Sequence, residues 1–527
     1  MLQTVSRQRV IVIGAGIGGL AAAVRLADAG MDVEVLELGS KPGGKLRTFP
    51  SPAGPVDAGP TVFTMRPVFE ELFASVGERL EDHLELIEEP LLARHWWPDG
   101  STLDLHADPE ASAEAIREFS GPRSADQFRR FCARARRLFE AFDGPIMRAP
   151  RPNLGQVIGK CLADSQLMRD MTPPKTLWRS LAGQFSDPRL AQLFARYATY
   201  VGGSPFRSPD ILSLIWHAEA SGVWRIRGGM VKLARALEHL AIARGARFSY
   251  DTEVSAILPG TPMRVRLLSG VERTADAVMF NGDPVALASG RLGPAARDAV
   301  KARAVKPRAL SAYVWTFAAE PRGVDLTHHN VFFNTHYRRE FAAIEEGRMP
   351  EDAALYVCAQ DRGVDVDPEG LERFEIILNG PAVRQGEPLM DVEEEYEKCM
   401  TVTFDTLARR GLTFSPIPGP RALTTPRQFA TRFPGSEGSL YGQSPHGMMA
   451  TFRRPTVRSA VPGLYLAGGG VHPGAGLPMA MSSGRHAAEA ILRDHVSIST
   501  SRHTDTRGGM WTASRTAAPT VSRSSPS

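Results

Sequence analysis

The chain has little of what would staple it, carry it across a bilayer or mark a nucleic-acid partner. Its 527 residues include four cysteines, Cys132, Cys161, Cys358 and Cys399. No two stand in C-x-x-C spacing, and a chain this long buries enough surface to do without staples. A reducing, cytoplasmic compartment is the expectation. Long unbroken apolar runs are also missing. The stretch Val10 to Val24 is cut by Gly14, Gly16, Gly18 and Gly19 and starts too near the N-terminus to follow a signal peptide; Ala460 to Ser482 is broken by glycines, prolines and His472. Membrane contact is therefore expected to be peripheral. Charge of one sign is scarce as well, with Lys+Arg 62 against Asp+Glu 58. Much of that small surplus lies in the tail, where Arg502, Arg507, Arg515 and Arg523 face only Asp505. So balanced a body excludes the electrostatic footprint of a nucleic-acid binder. No G-x-S-x-G elbow occurs, and His328, His329 and His336 lack the i, i+4 helical spacing of a zincin. They read as satisfied or surface histidines, and no metal is expected.

What is present reads as a globular α/β chain. Hydrophobic residues make up 43% and charged residues 23%, with 49 glycines and 40 prolines for tight turns. At roughly 150 residues per domain the length predicts two to four units. The N-terminus predicts a strand at Val10 to Ile13, a Gly-rich turn, a helix at Ile17 to Ala29 and a strand at Asp32 to Leu38. From Phe69 to about Ala220 helices broken by Pro and Gly take over, with one hairpin turning at Arg94 to Gly100. Strands return at Arg247 to Tyr250, Val254 to Leu258, Val265 to Leu268 and Ala277 to Asn281. A last helix is predicted at Ser482 to Arg493. The interleaving predicts a Rossmann-type dinucleotide domain assembled from 1–68, 221–305 and 441–496, with an inserted mixed α+β substrate domain from 69–220 and 306–440. Residues 497–527, polar and Gly-rich, are expected to be a disordered tail.

Three Gly-rich stretches carry the chemistry. The first, Gly14-Ala15-Gly16-Ile17-Gly18-Gly19, follows a strand and opens a helix, the context that turns a weak pattern into a dinucleotide fingerprint. Gly16 lets a pyrophosphate approach backbone at the helix N-terminus, and Gly19 allows close packing. Eighteen residues after Gly19, Glu37 is placed to accept both ribose hydroxyls of an adenosine. The second stretch, Lys41 to Thr48 with Gly43 and Gly44, adds cations able to reach the same pyrophosphate, which a simple nicotinamide dehydrogenase does not need. The third, Gly468-Gly469-Gly470 and Gly474 to Pro478, runs from a strand into a helix whose N-terminus can stabilise charge on a reduced flavin ring. One nucleotide site and no separate nicotinamide site is the reading.

The helix around Phe128, Phe131, Ala135, Leu138, Phe139 and Phe142 presents Arg129, Arg130, Arg134, Arg136 and Arg137 on its other face. This is read first as a solvated basic face, and second as an interfacial helix for anionic lipid.

Together these pieces, with Asp57-Ala58-Gly59-Pro60-Thr61, Gly222-Val223-Trp224, Gly228-Gly229-Met230 and His472-Pro473-Gly474-Ala475-Gly476, resemble the phytoene-desaturase-like carotenoid oxidoreductases, relatives of the flavin amine oxidases. The stretches Pro90 to Leu103 and Ala198 to Gly203 look most like the 1-hydroxycarotenoid 3,4-desaturases. The resemblance implies that Gly14, Gly16, Gly18, Gly19 and Glu37 hold the ADP part of FAD, with Lys45 by the pyrophosphate. It places Gly59 and Pro60 beside the flavin, Val254 at the adenine, and Gly468, Gly469, Leu477, Pro478 and Met479 along the ribityl chain and ring. Gly469 stands where amine oxidases carry an acidic residue, which makes an amine substrate less fitting. The implied reaction is desaturation of an acyclic hydroxycarotenoid drawn from membrane lipid, with oxygen or a quinone as final electron acceptor. Glu219 and His217 are the candidates for the catalytic base, with structural polar groups as their alternative reading. Trp178, Tyr197, Tyr200, Trp216 and Trp224 could wall an apolar tunnel or simply be core.

Overall fold

The computed structural model describes residues 7–171, 174–363, 368–384 and 391–504, with side chains to residue 495. Most of the expected tail, from 505 onward, lies outside the described residues. In chain order the elements that position the site are β1 (Arg9–Ile13), α1 (Ile17–Asp28), β2 (Asp32–Leu36), β3 (Leu91–Trp96), β4 (Thr102–His106), α2 (Pro122–Phe142), α3 (Leu154–Ala163), α4 (Ser165–Met171), α5 (Leu214–Ala220), α6 (Val231–Ala243), β5 (Arg247–Ser249), β6 (Ala277–Phe280), β7 (Ser311–Arg322), β8 (His329–Phe332), β9 (Leu355–Ala359), β10 (Glu372–Gly380), β11 (Leu464–Leu466) and α7 (Leu477–Thr504).

Two sheets organise the chain. The first has the order β11-β6-β1-β2-β5, all parallel, so its strands come from three separated stretches of sequence. Its central strand is apolar on both faces: Val10, Ile11 and Val12 are fully buried, as a parallel sheet covered by helices on each side requires. The one charge buried in β2, Glu34, is paired with Arg9 at 2.8 Å and with Arg273. Helix α1 is built almost wholly of small and aliphatic residues and packs against α6 and α7. The crossing with α7 is close, since a Cβ on Gly484 would stand 2.1 Å from the Gly18 carbonyl oxygen.

The second sheet is mixed and has eight strands, with the central run β7-β10-β9-β8-β3-β4. All neighbours in this run are antiparallel except β8 and β3. The hairpin of β3 and β4 forms where it was expected, but its turn is shorter than Arg94 to Gly100: Arg94, His95 and Trp96 belong to β3, and the chain turns at Trp97 to Gly100. Helix α7 differs from expectation. It starts five residues earlier than Ser482 and runs on to Thr504, because Pro478 sits in its first turn, where a missing N–H costs nothing. Among the described residues no helix is long and apolar enough to cross a membrane.

Candidate functional site

One large cavity, about 1580 Å³, lies between the two sheets. Ile13 and Leu36 reach it from the parallel sheet, and Val314, Tyr356 and Ile377 from the mixed one. At its nucleotide end the turn after β1 is closed by its own backbone: Gly14 N–H donates to the Leu36 carbonyl (2.8 Å) and Asn281 Nδ2 to the Gly14 carbonyl (3.1 Å). Gly19 belongs to this turn, where a Cβ would stand 2.1 Å from the Gly14 oxygen. The residue that lets α1 pack closely on α7 is Gly18, whose Cβ would meet Gly468 N at 2.9 Å and Ala480 O at 3.0 Å. Gly19 thus has the close-packing role expected of it, against the turn after β1, and Gly18 adds a second close contact toward α7.

Glu37 sits just past β2 and accepts from Ala15 N–H (2.6 Å) and Gly39 N–H (2.8 Å), while burial pushes its carboxyl up. Thr252 N–H donates to the Glu37 carbonyl, and this bond carries Val254 to the cavity wall. The second Gly turn docks directly on the first: Gly43 N–H donates to the Ala15 carbonyl, and a Cβ on Gly44 would stand 3.2 Å from Gly16 Cα. Lys45 is buried, donates to the Leu440 carbonyl, and is pushed down to about 8 by burial, with Asp283 acting against that. Gly59 has φ +136° and a Cβ there would meet the Lys45 oxygen at 2.1 Å, so only glycine fits. Its N–H donates to Glu375 Oε1 (2.8 Å), and burial pushes the Glu375 carboxyl up to about 8. On the third stretch, Gly468 N–H donates to Ser483 Oγ (2.8 Å) and the Gly469 carbonyl accepts from Arg454 (2.7 Å).

The predicted cofactor residues Gly14, Gly16, Gly18, Glu37, Lys45, Gly59, Pro60, Val254, Gly468, Gly469, Leu477, Pro478 and Met479 all line this cavity, and Gly19 supports it from the turn. The lining carries unmet polar atoms fitting a large polar ligand: Arg47 Nε and Nη2, Asn281 Oδ1 and Glu375 Oε2 are buried without a hydrogen-bond partner. A dinucleotide offering phosphates and hydroxyls suits that mixture of donors and acceptors.

Away from the Gly turns the wall is apolar, with Phe139, Phe142, Ile146, Val157, Leu212 and Leu214. Within it Glu219, on α5, accepts from Tyr200 OH at 3.3 Å, and its Oε2 is buried without a partner. Burial raises its pKa, opposed by the Tyr197 hydroxyl and by Arg196. Arg196 lies over the rings of Tyr200 and Tyr356, 5.2 and 5.4 Å from their centroids. His217 is not in the wall; it packs edge-on against Phe139 at 5.1 Å, which is its structural reading. The helical period puts Glu219 two residues further round α5, toward the cavity. Of the five aromatics only Tyr200 lines the cavity, whereas Trp178, Tyr197, Trp216 and Trp224 pack in or against the apolar cores.

The sequence reading missed Asn281, Glu375 and Arg196. A charge inside an otherwise apolar strand, Phe374 to Leu378, was the available signal for Glu375. The basic helix α2 also departs from expectation: Arg134 is buried against Asp210 (2.8 Å), Arg137 pairs with Asp170, Arg136 with Glu140, and Arg129 with Glu110. Four of its five arginines are spent on neighbours within the protein.

Comparison with known proteins agrees with this geometry. Residues 17–492 match the family of flavin containing amine oxidoreductases. A hydroxyneurosporene desaturase of Cereibacter sphaeroides is 53% identical over 93% of this chain and 99% of its own, and one of Rhodobacter capsulatus is 52% identical over the same shares. Among solved structures, an oxidoreductase from Methanosarcina mazei has a TM-score of 0.57 at 16% identity, covering 91% of this chain and 100% of that one. Cyclohexylamine oxidase from Brevibacterium oxydans has 0.54 at 18%, covering 93% and 99%, and both share the fold. The chain is an FAD-dependent oxidoreductase and belongs to the flavin containing amine oxidoreductase family, on the branch of the hydroxyneurosporene desaturases.

Proposed function

We propose that the protein introduces the C3,4 double bond into acyclic carotenoids bearing a 1-hydroxyl or 1-methoxyl group. The observation that carries this reading is the 53% identity, over nearly the whole of both chains, to a protein named for that substrate class. The cavity supports it: a long apolar wall suits a polyene, and a few polar groups give it one end to recognise. Stretches 1–68, 221–305 and 441–496 are assigned to holding FAD, and 69–220 with 306–440 to holding the substrate.

FAD, when bound, supplies the acceptor for the hydride leaving one allylic carbon. The neighbouring carbon gives up a proton, and Glu219 Oε2 is the atom assigned to take it, being buried, unpartnered and in the cavity wall. Tyr200 and Tyr197 keep the carboxyl oriented. Gly14, Gly16, Gly43 and Gly44 would offer backbone to the diphosphate and Lys45 a cation, while Gly59, Pro60 and the start of α7 would lie toward the ring. Tyr356, whose hydroxyl is 2.7 Å from Thr61 Oγ1, is a polar group available to the substrate's hydroxyl end.

Lipid contact is assigned to α3 rather than α2. Leu154, Ile158 and Leu162 follow one another at i, i+4 and i+8 and are 42%, 49% and 74% exposed, with Lys160 beside them. On the inner side Leu154 and Val157 line the cavity, so this helix joins the lipid surface to the polyene wall. We infer that this contact is peripheral and made at the inner face of the cytoplasmic membrane.

Liposomes containing phytoene, neurosporene, lycopene or their 1-hydroxy derivatives, given to the purified flavoprotein, test the reading. A red shift confined to the hydroxylated substrates is expected, because polar groups built for a hydroxyl are left unpaired by its analogue. Efficient conversion of phytoene would overturn it.

A further inference from the structure

Beside the cavity, in a part of the mixed sheet that the desaturation chemistry does not use, three buried side chains converge. His329 on β8 and Cys358 on β9 are direct cross-strand partners, so their side chains leave the same face of the sheet. His328, one residue before β8, completes the group. The three are 7%, 3% and 1% exposed, and their donor atoms all lie within 4.8 Å of one another. The sequence reading grouped His336 with these two histidines and expected no metal; in the fold His336 is exposed, and Cys358, far along the chain, stands beside them instead.

We propose that His328, His329 and Cys358 bind one divalent cation of the zinc class. The geometry suits it at both histidines. His328 Nδ1 lies 2.8 Å from the Arg362 carbonyl, which can only accept, so Nδ1 carries the proton and Nε2 offers its lone pair. That Nε2 is 3.7 Å from Cys358 Sγ. A tetrahedral zinc with Zn–S of about 2.3 Å and Zn–N of about 2.0 Å holds its sulfur and nitrogen roughly 3.6 Å apart. Two ligands of the set are therefore already at bonding separation without any metal present. His329 Nδ1 is 2.7 Å from Tyr356 OH, which leaves its Nε2 for a metal and gives the ring an outer partner of the kind that orients ligating histidines. The rings of His328 and His329 meet edge to face at 80°, with centroids 4.5 Å apart.

Charges of both signs surround the group, with Arg196 and Arg225 acting on His329 and carboxylates on the Cys358 side. Glu375, the register partner of Cys358 on β10, lies on the same face, and its Oε2 is buried without a partner. Glu89 stands nearby, held by Arg225. Binding exchanges the Cys358 S–H bond for an S–Zn bond and releases that proton to solvent, leaving zinc and one thiolate at net +1. Three protein donors with a fourth position open is the ligand count of sites where zinc keeps an exchangeable ligand. Through His329 and Tyr356 the cation would fix the polar edge of the cavity without touching the flavin.

The test is metal content and coordination of the flavin-loaded protein, purified without chelator and equilibrated against zinc chloride. About one zinc per chain is expected, with an X-ray absorption edge fitted by one sulfur near 2.3 Å and two imidazole nitrogens near 2.0 Å. Cys358→Ser and His328→Ala should each lower zinc content by at least about tenfold, while Cys132→Ser leaves it unchanged and flavin per chain stays constant in all three. If Cys358→Ser fails to fold, the absorption spectrum of the unaltered protein decides by itself. No stoichiometric zinc after equilibration, a coordination shell without sulfur, or equal zinc in a folded Cys358→Ser protein would each overturn the proposal.

Discussion

Two glycines three residues apart should fail in opposite ways. Gly16 has φ −73° and ψ 170°, a conformation open to any residue, and a Cβ there meets only the end of the Asn281 amide, at 3.0 Å. Gly16→Val is thus compatible with the fold, at a cost of about 1 kcal/mol for shifting one amide. Its methyl groups, however, stand where backbone must meet the diphosphate. Losing one or two charge-assisted hydrogen bonds there costs roughly 3–5 kcal/mol, or about 10²–10⁴-fold in FAD affinity. Gly19→Ala is the reverse case. Its Cβ would sit 2.1 Å from the Gly14 oxygen, more than 1 Å inside ordinary contact, and the obstacle is backbone already tied to Asn281. Overpacking together with the loss of that bond destabilises the fold by about 2–4 kcal/mol. Apoprotein titrated with FAD, followed by quenching of flavin fluorescence, reads the first effect; urea unfolding followed by tryptophan fluorescence reads the second. Wild-type FAD affinity in a folded Gly16→Val protein, or unchanged stability in Gly19→Ala, would refute the reasoning.

Lys45 gives a pH dependence: burial sets it at about 8 without ligand, and a bound diphosphate holds its proton to higher pH. FAD affinity should be level below pH 8 and fall by up to about tenfold per unit above it, and Lys45→Met should bind weakly with no such slope. Glu219→Gln should slow single-turnover flavin reduction by roughly 10²–10⁴ with substrate binding kept, whereas His217→Gln should leave it near normal. Ile158→Asp combined with Leu162→Asp should reduce sedimentation with anionic vesicles while leaving the visible spectrum intact. Arg134→Gln should instead destabilise the protein by about 3–5 kcal/mol in urea, since it leaves Asp210 buried and unpaired.

The nucleotide half of the site was legible because its determinants are local. A strand, a glycine turn and a helix in consecutive residues announce a phosphate cradle whatever lies elsewhere, and Glu37 follows at a fixed distance. The substrate half was less so. Whether Glu219 or His217 faces the cavity depends on how α5 is rotated against α2, which two-residue spacing alone does not settle. The five arginines of α2 looked like one basic face, yet Asp170 and Asp210, which neutralise part of it, come from distant segments. Glu375 and Cys358 become neighbours only through the register of β9 and β10, and register is set by the whole sheet.

The crossing of α1 and α7 has a consequence for how the protein is made. The chain emerges from the ribosome N-terminus first, so the nucleotide turn at residues 14–19 is finished long before residue 484, whose glycine lies against Gly18, has been added. Strand β11, which forms the edge of the same sheet, is also among the last segments synthesised. Until they arrive the early βαβ unit shows an uncovered helix face, and β6, once paired with β1, keeps its outer edge open. Flavin uptake thus belongs after translation, and a nascent chain stalled before α7 carries an exposed apolar surface that a chaperone must shield.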